Sequence, residues 1–382
     1  IKYMISELEE KHPCLYFNCS KEETDNYIKE LIDKKVIHDD RSFFYYVNTI
    51  LKKFGDSHTF ARFMTKGSLP IETKLIDGKL YMLKCAEEFK YGEIKQINGV
   101  DISIVMSELE KTIAYTTDGW LAAMLEHGVT LESLLSLPSQ RKSEGQIDYT
   151  IEKDGIDKHL IFGSDDFSKS RNNGIPYSYT YNEENNTMVI RYSSCREDAN
   201  YKMVQFVSDV KDKSETNGVT NFVVDLRGNG GGDSRVVKPL IEFLKNDDYN
   251  KTTLVDGGVF SSGRFAIVDM RRIGSTFIGT DIGTAINVFG NVGDPVILPN
   301  TGMYINHSTK YFYYDEEYNG LGAVVGKDNF NKFRSDVNNT KHLEPNYFRP
   351  NIYEVENTIE DYRNNRDVQM EVAISSFKNK SL

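Results

Sequence analysis

The stretch NFVVDLRGNGGGDS, residues 221–234, places three consecutive glycines directly after a run that reads as a buried strand. Phe222, Val223, Val224 and Leu226 form a short apolar, β-branched segment bounded by Asn221 and glycine, and the spacing from Ser234 to Leu244 predicts a helix. The glycines therefore sit in a strand-to-helix loop, where bare backbone lets N–H groups crowd around an anionic group near the positive end of a helix. A nucleotide phosphate would call for G-x-x-x-x-G-K-[ST], and no such Lys-Ser or Lys-Thr follows. A dinucleotide would call for G-x-G-x-x-G, but after Gly228 and Gly230 the third position is Asp233. An oxyanion formed during acyl transfer needs only two well-placed N–H donors. A merely flexible turn is the competing reading of a glycine cluster taken alone.

The rest of the chain sets the frame. Its 382 residues are enough for a large core and two or three modules, and 39% hydrophobic and 12% aromatic content are those of a globular protein. Asp and Glu outnumber Lys and Arg by 57 to 46, and the net charge of −11 argues against nucleic acid or an anionic membrane as partner. No apolar run approaches the roughly 18 residues of a membrane-spanning helix. Cys14, Cys19, Cys85 and Cys195 form neither a C-x-x-C pair nor a metal-like cluster with histidine, so the expectation is no metal, no cofactor and single thiols rather than a disulfide framework.

Three organisational units are read along the chain. Residues 1–66 carry helical periodicity in Tyr3, Leu8, Ile28, Leu31 and Ile32, with turns at His12-Pro13 and before Arg41. Residues 67–170 read as a small β-rich module with helices, punctuated by Asp77-Gly78, Asn98-Gly99 and Asp154-Gly155, each a hairpin signal. In 171–382, after a linker at Asn172-Asn173-Gly174, strands and helices alternate, which predicts a layered α/β core.

Two further stretches carry chemistry. In GVFSSGRFA, 258–266, Ser261 and Ser262 stand between an apolar approach and an amphipathic run, a strand-to-helix junction that suits a nucleophile, although two serines before a helix, taken alone, read more readily as an N-cap. In KFGDSHTFAR, 53–62, His58 lies beside Asp56, either as a base or as a loop residue bonded to its neighbours; the other six histidines have no comparable setting.

Taken together these stretches resemble the C-terminal-processing, or tail-specific, serine protease family, especially its tricorn-core-like branch. The resemblance rests on LKKFGDSHT (51–59), FVVDLRGNGGGDS (222–234), VFSSGRFA (259–266), IGSTFIGTDIGT (273–284) and LEPNYFRPNIYEVENTIEDYRNNRD (343–367), five elements in order over most of the chain. It implies a crotonase- or ClpP-like α/β catalytic core, with YGEIKQINGVDI (91–102) as the remnant of a PDZ-like module. It also implies a serine peptidase acting on peptide or protein substrates, with Ser261 as nucleophile, His58 as general base, Glu344 as the carboxylate that orients it and Ser57 as a fourth member. The amides of Gly230 or Gly231 and of Ser262 would hold the oxyanion. The Ser–Lys version of the family is disfavoured because TDIGTAINVFGN (280–291) contains no Lys. Arg264 stands where Glu is usual and Asn351 replaces an Asp. Residues 315–341 resemble an insertion, with Asp315, Glu316, Glu317 and Asp336 as reserve carboxylates. An activity limb near or above the ~6.5 of free imidazole is expected from the carboxylate. Family habit and a first residue that is not Met set the expectation of an exported or cell-surface protein with its leader removed. The alternatives are a catalytically silent peptide-binding relative, and an unrelated esterase-type acyl hydrolase, against which the absence of G-x-S-x-G weighs.

Overall fold

The computed structural model of the chain describes residues 1–62, 67–141, 145–168, 174–314, 321–336 and 350–378. Three helices come first: α1 (Lys2–Lys11), α2 (Lys21–Asp33) and α3 (Asp40–Lys52). The last two open with reciprocal capping boxes, Ser20 with Glu23 and Asp39 with Ser42, which satisfy first-turn N–H groups that the helix itself cannot. Their apolar faces close on one another through Met4, Leu8, Leu31, Val47, Ile50 and Leu51.

After the short strand β1 (Phe60–Arg62), an antiparallel sheet is built from β2 (Glu72–Ile76), β3 (Lys79–Lys84), β4 (Glu93–Ile97), β5 (Val100–Asp101), β6 (Ile147–Lys153) and β7 (Ile156–Phe162), in the order β2-β3-β4-β6-β7 with β5 on β4. Both central residues of its turns, Asp77-Gly78, Asn98-Gly99 and Asp154-Gly155, have positive φ, as a two-residue hairpin turn matching the strand twist requires. Helices α4 (Ile102–Glu110) and α5 (Asp118–Gly128) lie between β5 and β6 and share the core of this sheet through Val105, Leu109 and Leu125.

The central layer follows: β8 (Tyr177–Asn182), β9 (Thr187–Tyr192), α6 (Met203–Asn217), β10 (Asn221–Asp225), α7 (Lys238–Leu244), β11 (Asn250–Val255), α8 (Gly263–Arg272) and β12 (Thr276–Gly279). Beyond them come β13 (Val288–Val292), β14 (Val296–Ile297), β15 (Tyr304–Asn306), β16 (Ser308–Tyr314), β17 (Leu321–Gly326), α9 (Lys327–Asp336), β18 (Ile352–Glu354), α10 (Ile359–Arg363) and α11 (Val368–Lys378). The main sheet runs β18-β12-β11-β10-β9-β8 and is parallel except for β8 at its edge. In β10, Phe222 and Val224 face the core with α6, α7 and α8, while Val223 faces α11 with Leu254, Ala373 and Phe377. A parallel strand covered on both faces must be apolar on both faces, and β10 is.

Two short antiparallel sheets flank this layer, β1-β15-β14 and β13-β16-β17. The first carries the loop that ends α3 to the main body, and the second walls the region beyond α8. One expectation shifts: the helix after the glycine loop begins at Lys238, not at Ser234, and residues 234–237 form turns. Pro239 explains the start, since a residue without an N–H fits the first helical turn and no later one. The glycine loop therefore does not open directly onto a helix N-terminus.

Candidate active site

The C-terminal ends of β10 and β11 carry two loops that lock together. Asp256 accepts hydrogen bonds from Gly228 N (2.7 Å) and Gly258 N (2.9 Å). Asn229 takes the Phe260 N–H on its carbonyl (2.9 Å), the Gly231 N–H on Oδ1 (3.0 Å), and donates from Nδ2 to Tyr192 O (2.9 Å). Ser262 Oγ donates to Gly232 O (2.6 Å). A Cβ on Gly231, whose φ is +95°, would lie 2.7 Å from Ser262 N and 2.8 Å from Phe260 O and Ser261 Cβ. Only glycine permits that approach.

Arg227 fixes the glycine loop from behind. It donates to both Asp225 and Asp367 in bidentate fashion, joining the end of β10 to the segment before α11. The pairing explains why the sequence carries an arginine directly before the glycines and an aspartate 140 positions later.

Ser261 stands at the tip of the second loop with φ +53°, a left-handed conformation that a residue with a Cβ rarely adopts. Its N–H donates to Thr284 Oγ1 (3.0 Å), and α8 starts two residues on at Gly263. Strain of this kind persists only where surrounding bonds impose it, and here the Asn229, Thr284 and Gly232 contacts do so. The two glycines named as oxyanion donors differ. The Gly231 N–H is spent on Asn229 Oδ1, whereas the N–H groups of Gly230 and Ser262 have no acceptor among the described residues.

His58 lies between α3 and β1. Asp56 shapes this loop by accepting the His58 N–H (2.9 Å) and the Thr59 hydroxyl (2.6 Å). Asp56 is 1% exposed and its Oδ2 lies 3.2 Å from His12 Nε2, at the end of α1. Sequence reasoning gave His12 no role; 44 positions separate it from Asp56, and only the packing of α1 brings them together. Burial would push the Asp56 carboxyl up, but the His12 bond and the charges of His12 and His58 hold it well below the usual carboxylate range.

The imidazole of His58 is 4% exposed and stacks on Phe260, centroids 4.5 Å apart, which in turn stacks on Trp120 at 3.8 Å. Its Nδ1 lies 3.8 Å from Asp56 Oδ1, too far for a hydrogen bond, and among the described residues no side chain bonds either ring nitrogen, although the Phe289 backbone lies close enough to favour the protonated ring. Ser261 and His58 are thus not hydrogen-bonded in this structure. Burial pushes the His58 pKa from 6.5 down to about 4, the Asp56 carboxylate and the Phe289 backbone oppose it, and the Arg264 charge pushes the same way as burial. Among the described residues desolvation therefore outweighs the nearby Asp56 carboxylate, the opposite direction to the one expected for a limb near or above 6.5.

Ser261 and His58 line the same two cavities. One, of about 570 Å³, is walled by Gly232, Asp233, Ser262, Arg264, Phe265 and Phe312. The other, of about 510 Å³, is largely apolar, with Phe44, Leu109, Trp120, Met124, Leu131 and Leu137, and takes in Ser57 and Gly230. Among the described residues the Ser57 hydroxyl is buried without a partner. Glu344, Asp315, Glu316 and Glu317 lie outside the described residues, and Asp336 is exposed at the end of α9. Among the described residues no group of three or more His, Cys, Asp or Glu side chains could hold a metal ion.

The chain is similar in fold to mature CPAF. Against its complex with lactacystin the TM-score is 0.60 at 12% identity, over 100% of this chain and 96% of that chain. Against mature CPAF the TM-score is 0.59 at 12% identity, over 94% and 93%. A serine-to-alanine mutant of CPAF gives 0.58 at 11% identity, over 97% and 95%. No protein-family model matches the chain, and no curated protein matches it by sequence. At such identities the likeness is one of fold.

Proposed function

We propose that the chain is a serine peptidase of the C-terminal-processing kind that cleaves peptide bonds through an acyl-enzyme. The observation that carries this reading is the left-handed Ser261 at the tip of a glycine-locked loop, sharing both its cavities with a buried histidine. Ser261 Oγ attacks the scissile carbonyl while His58 takes its proton. Asp56 lies on the Nδ1 side, which leaves Nε2 for that transfer. The negative oxygen of the tetrahedral intermediate sits against the free N–H groups of Gly230 and Ser262. Collapse expels the amine, protonated by His58, and water then releases the acyl group by the same route in reverse. Glu344 remains the proposed orienting carboxylate and Ser57 the proposed fourth member. The apolar cavity suits a large apolar side chain of the substrate.

The silent peptide-binding alternative is favoured by one observation, the missing Ser261–His58 hydrogen bond. Apo sites are often loose in this way and tighten on substrate. A fluorophosphonate probe followed by peptide mapping decides the matter. Label on Ser261, absent in Ser261→Ala, together with peptide turnover supports the peptidase. Absence of label supports the silent relative, and label with ester turnover alone supports an esterase. Lactacystin, bound by mature CPAF in its solved complex, is a second probe to try on this site.

A further inference from the structure

Arg264 lies in the first turn of α8, three residues past Ser261, and is 2% exposed. A buried cation is costly unless it is paired, yet among the described residues no carboxylate reaches its guanidinium. Nη1 donates to Ile286 O, and among the described residues Nε is buried with no partner. The rings of Phe265 and Phe312 lie 4.4 and 5.0 Å from the guanidinium carbon and pack against it without neutralising it. The nearby acids are committed elsewhere: Asp269 to Lys238 (2.7 Å) and Arg272 (3.7 Å), and Asp233 to Arg235 (2.6 Å). Burial lowers the guanidinium pKa to about 10, so it stays charged at neutral pH. Arg264 also walls the 570 Å³ cavity that holds Ser261, Ser262 and His58.

We propose that Arg264 is the receptor for a carboxylate of the substrate, bound in this cavity close to the scissile bond. The inference rests on the peptidase reading of Ser261. A planar guanidinium held by the Ile286 carbonyl at Nη1 keeps its Nε and Nη2 edge for two parallel bonds to a carboxylate, which a lysine could not make. The missing counter-charge is then supplied by the substrate. The same event removes a penalty at the base, because Arg264 opposes protonation of His58, and a bound carboxylate cancels that field at the moment the imidazole takes the serine proton. The carboxylate has two sources, a free peptide C-terminus or an Asp or Glu side chain.

The test uses peptide pairs that differ only in that group: a free C-terminus against its amide, and Asp or Glu against Asn or Gln at each position flanking the cleaved bond. The wild-type protein is expected to favour one carboxylate member by roughly 10- to 100-fold in kcat/KM, the worth of a charged hydrogen bond. The pair that discriminates names the source. Arg264→Gln abolishes the preference and Arg264→Lys keeps only part of it, with circular dichroism and Ser261 labelling showing that each variant is folded. Binding of the same pairs to Ser261→Ala, followed by calorimetry, gives a readout independent of turnover. Labelled, active protein with no preference in any pair overturns the carboxylate receptor and leaves the peptidase reading intact. Unlabelled, inactive protein overturns the peptidase reading, and the calorimetric preference then decides whether Arg264 still binds the carboxylate. Because the wild-type comparison needs no variant, failure of Arg264→Gln to fold does not protect the proposal.

Discussion

Phe260 lies nearly flat on the imidazole of His58, with ring centroids 4.5 Å apart and planes 26° from parallel, and it is the residue immediately before Ser261. The two residues of the proposed catalytic pair are therefore coupled through one aromatic side chain, itself pressed from the other side by Trp120 at 12°. With no side chain among the described residues bonded to either nitrogen, stacking does most to set the orientation of the ring.

Truncating that stack should act on chemistry more than on binding. Trp120→Leu is expected to lower kcat several-fold while leaving labelling of Ser261 and KM near wild type, since a stacked aromatic pair contributes about 0.5–1.5 kcal/mol beyond its burial. A rise in KM with kcat unchanged would assign Trp120 to the apolar cavity alone.

Ser261 allows a test in which stability and activity part company. Ser261→Ala removes Oγ but keeps the left-handed backbone under the same strain, so activity falls by roughly 10³-fold or more with the melting temperature nearly unchanged. Ser261→Gly is equally inactive but more stable than Ser261→Ala by about 1 kcal/mol, because glycine adopts φ +53° without penalty. Equal melting temperatures for the two variants would show that the loop relaxes out of this conformation.

The two glycines of the loop separate as cleanly. At Gly230 an added Cβ meets nothing within 4 Å, and Gly230→Ala keeps its N–H, so activity stays within a few-fold. Gly231→Ala drives a methyl into Ser262 N and Phe260 O at positive φ, which displaces the Ser261 tip and destroys activity or folding. The reverse ranking, measured by kcat/KM and thermal melting, would contradict the loop geometry.

His58 serves as a base only when neutral. Its folded pKa, about 4, lies below the ordinary 6.5, so the acid limb of kcat/KM falls below pH 6.5. The sign for stability follows: the unfolded chain takes up this proton as pH drops through 6.5, the folded chain only near 4. His58 thus contributes stability that is complete above pH 6.5 and lost between 6.5 and 4. Thermal melting across that window should slope less in His58→Gln than in wild type. Arg264→Gln should raise the acid limb by removing a like charge, and an unchanged limb would show that burial alone sets it.

Substitutions at Glu344, Asp56 and Asp336 separate the candidates for orienting His58. Glu344→Gln is expected to lower kcat by roughly 10²- to 10⁴-fold with KM little changed. Asp56→Asn, in contrast, removes a buried charge bonded to His12, Thr59 and the His58 N–H, so it lowers the melting temperature as well as activity. Asp336→Asn, on an exposed helix end, changes activity by less than about threefold. A fully active Glu344→Gln protein would transfer the orienting role to Asp56.

What the sequence determined by itself is what short-range chemistry decides. The Asp-Gly and Asn-Gly pairs set hairpin turns because only certain residues accept two successive positive φ values. Ser20-Glu23 and Asp39-Ser42 set helix starts, and the apolar run at 222–226 set a strand covered on both faces. Pro239 moved one helix start by four residues, an effect equally local and readable in retrospect. Only the tertiary structure decided which distant groups meet and which are left unpaired. His12 reaches Asp56 across 44 positions, Arg227 reaches Asp367 across 140, Trp120 presses on Phe260, and Arg264 is buried without a counter-ion among the described residues. Such juxtapositions depend on how whole helices and sheets pack, and burial, which controls the charge on His58 and Arg264, is a property of that packing and of no single stretch of chain.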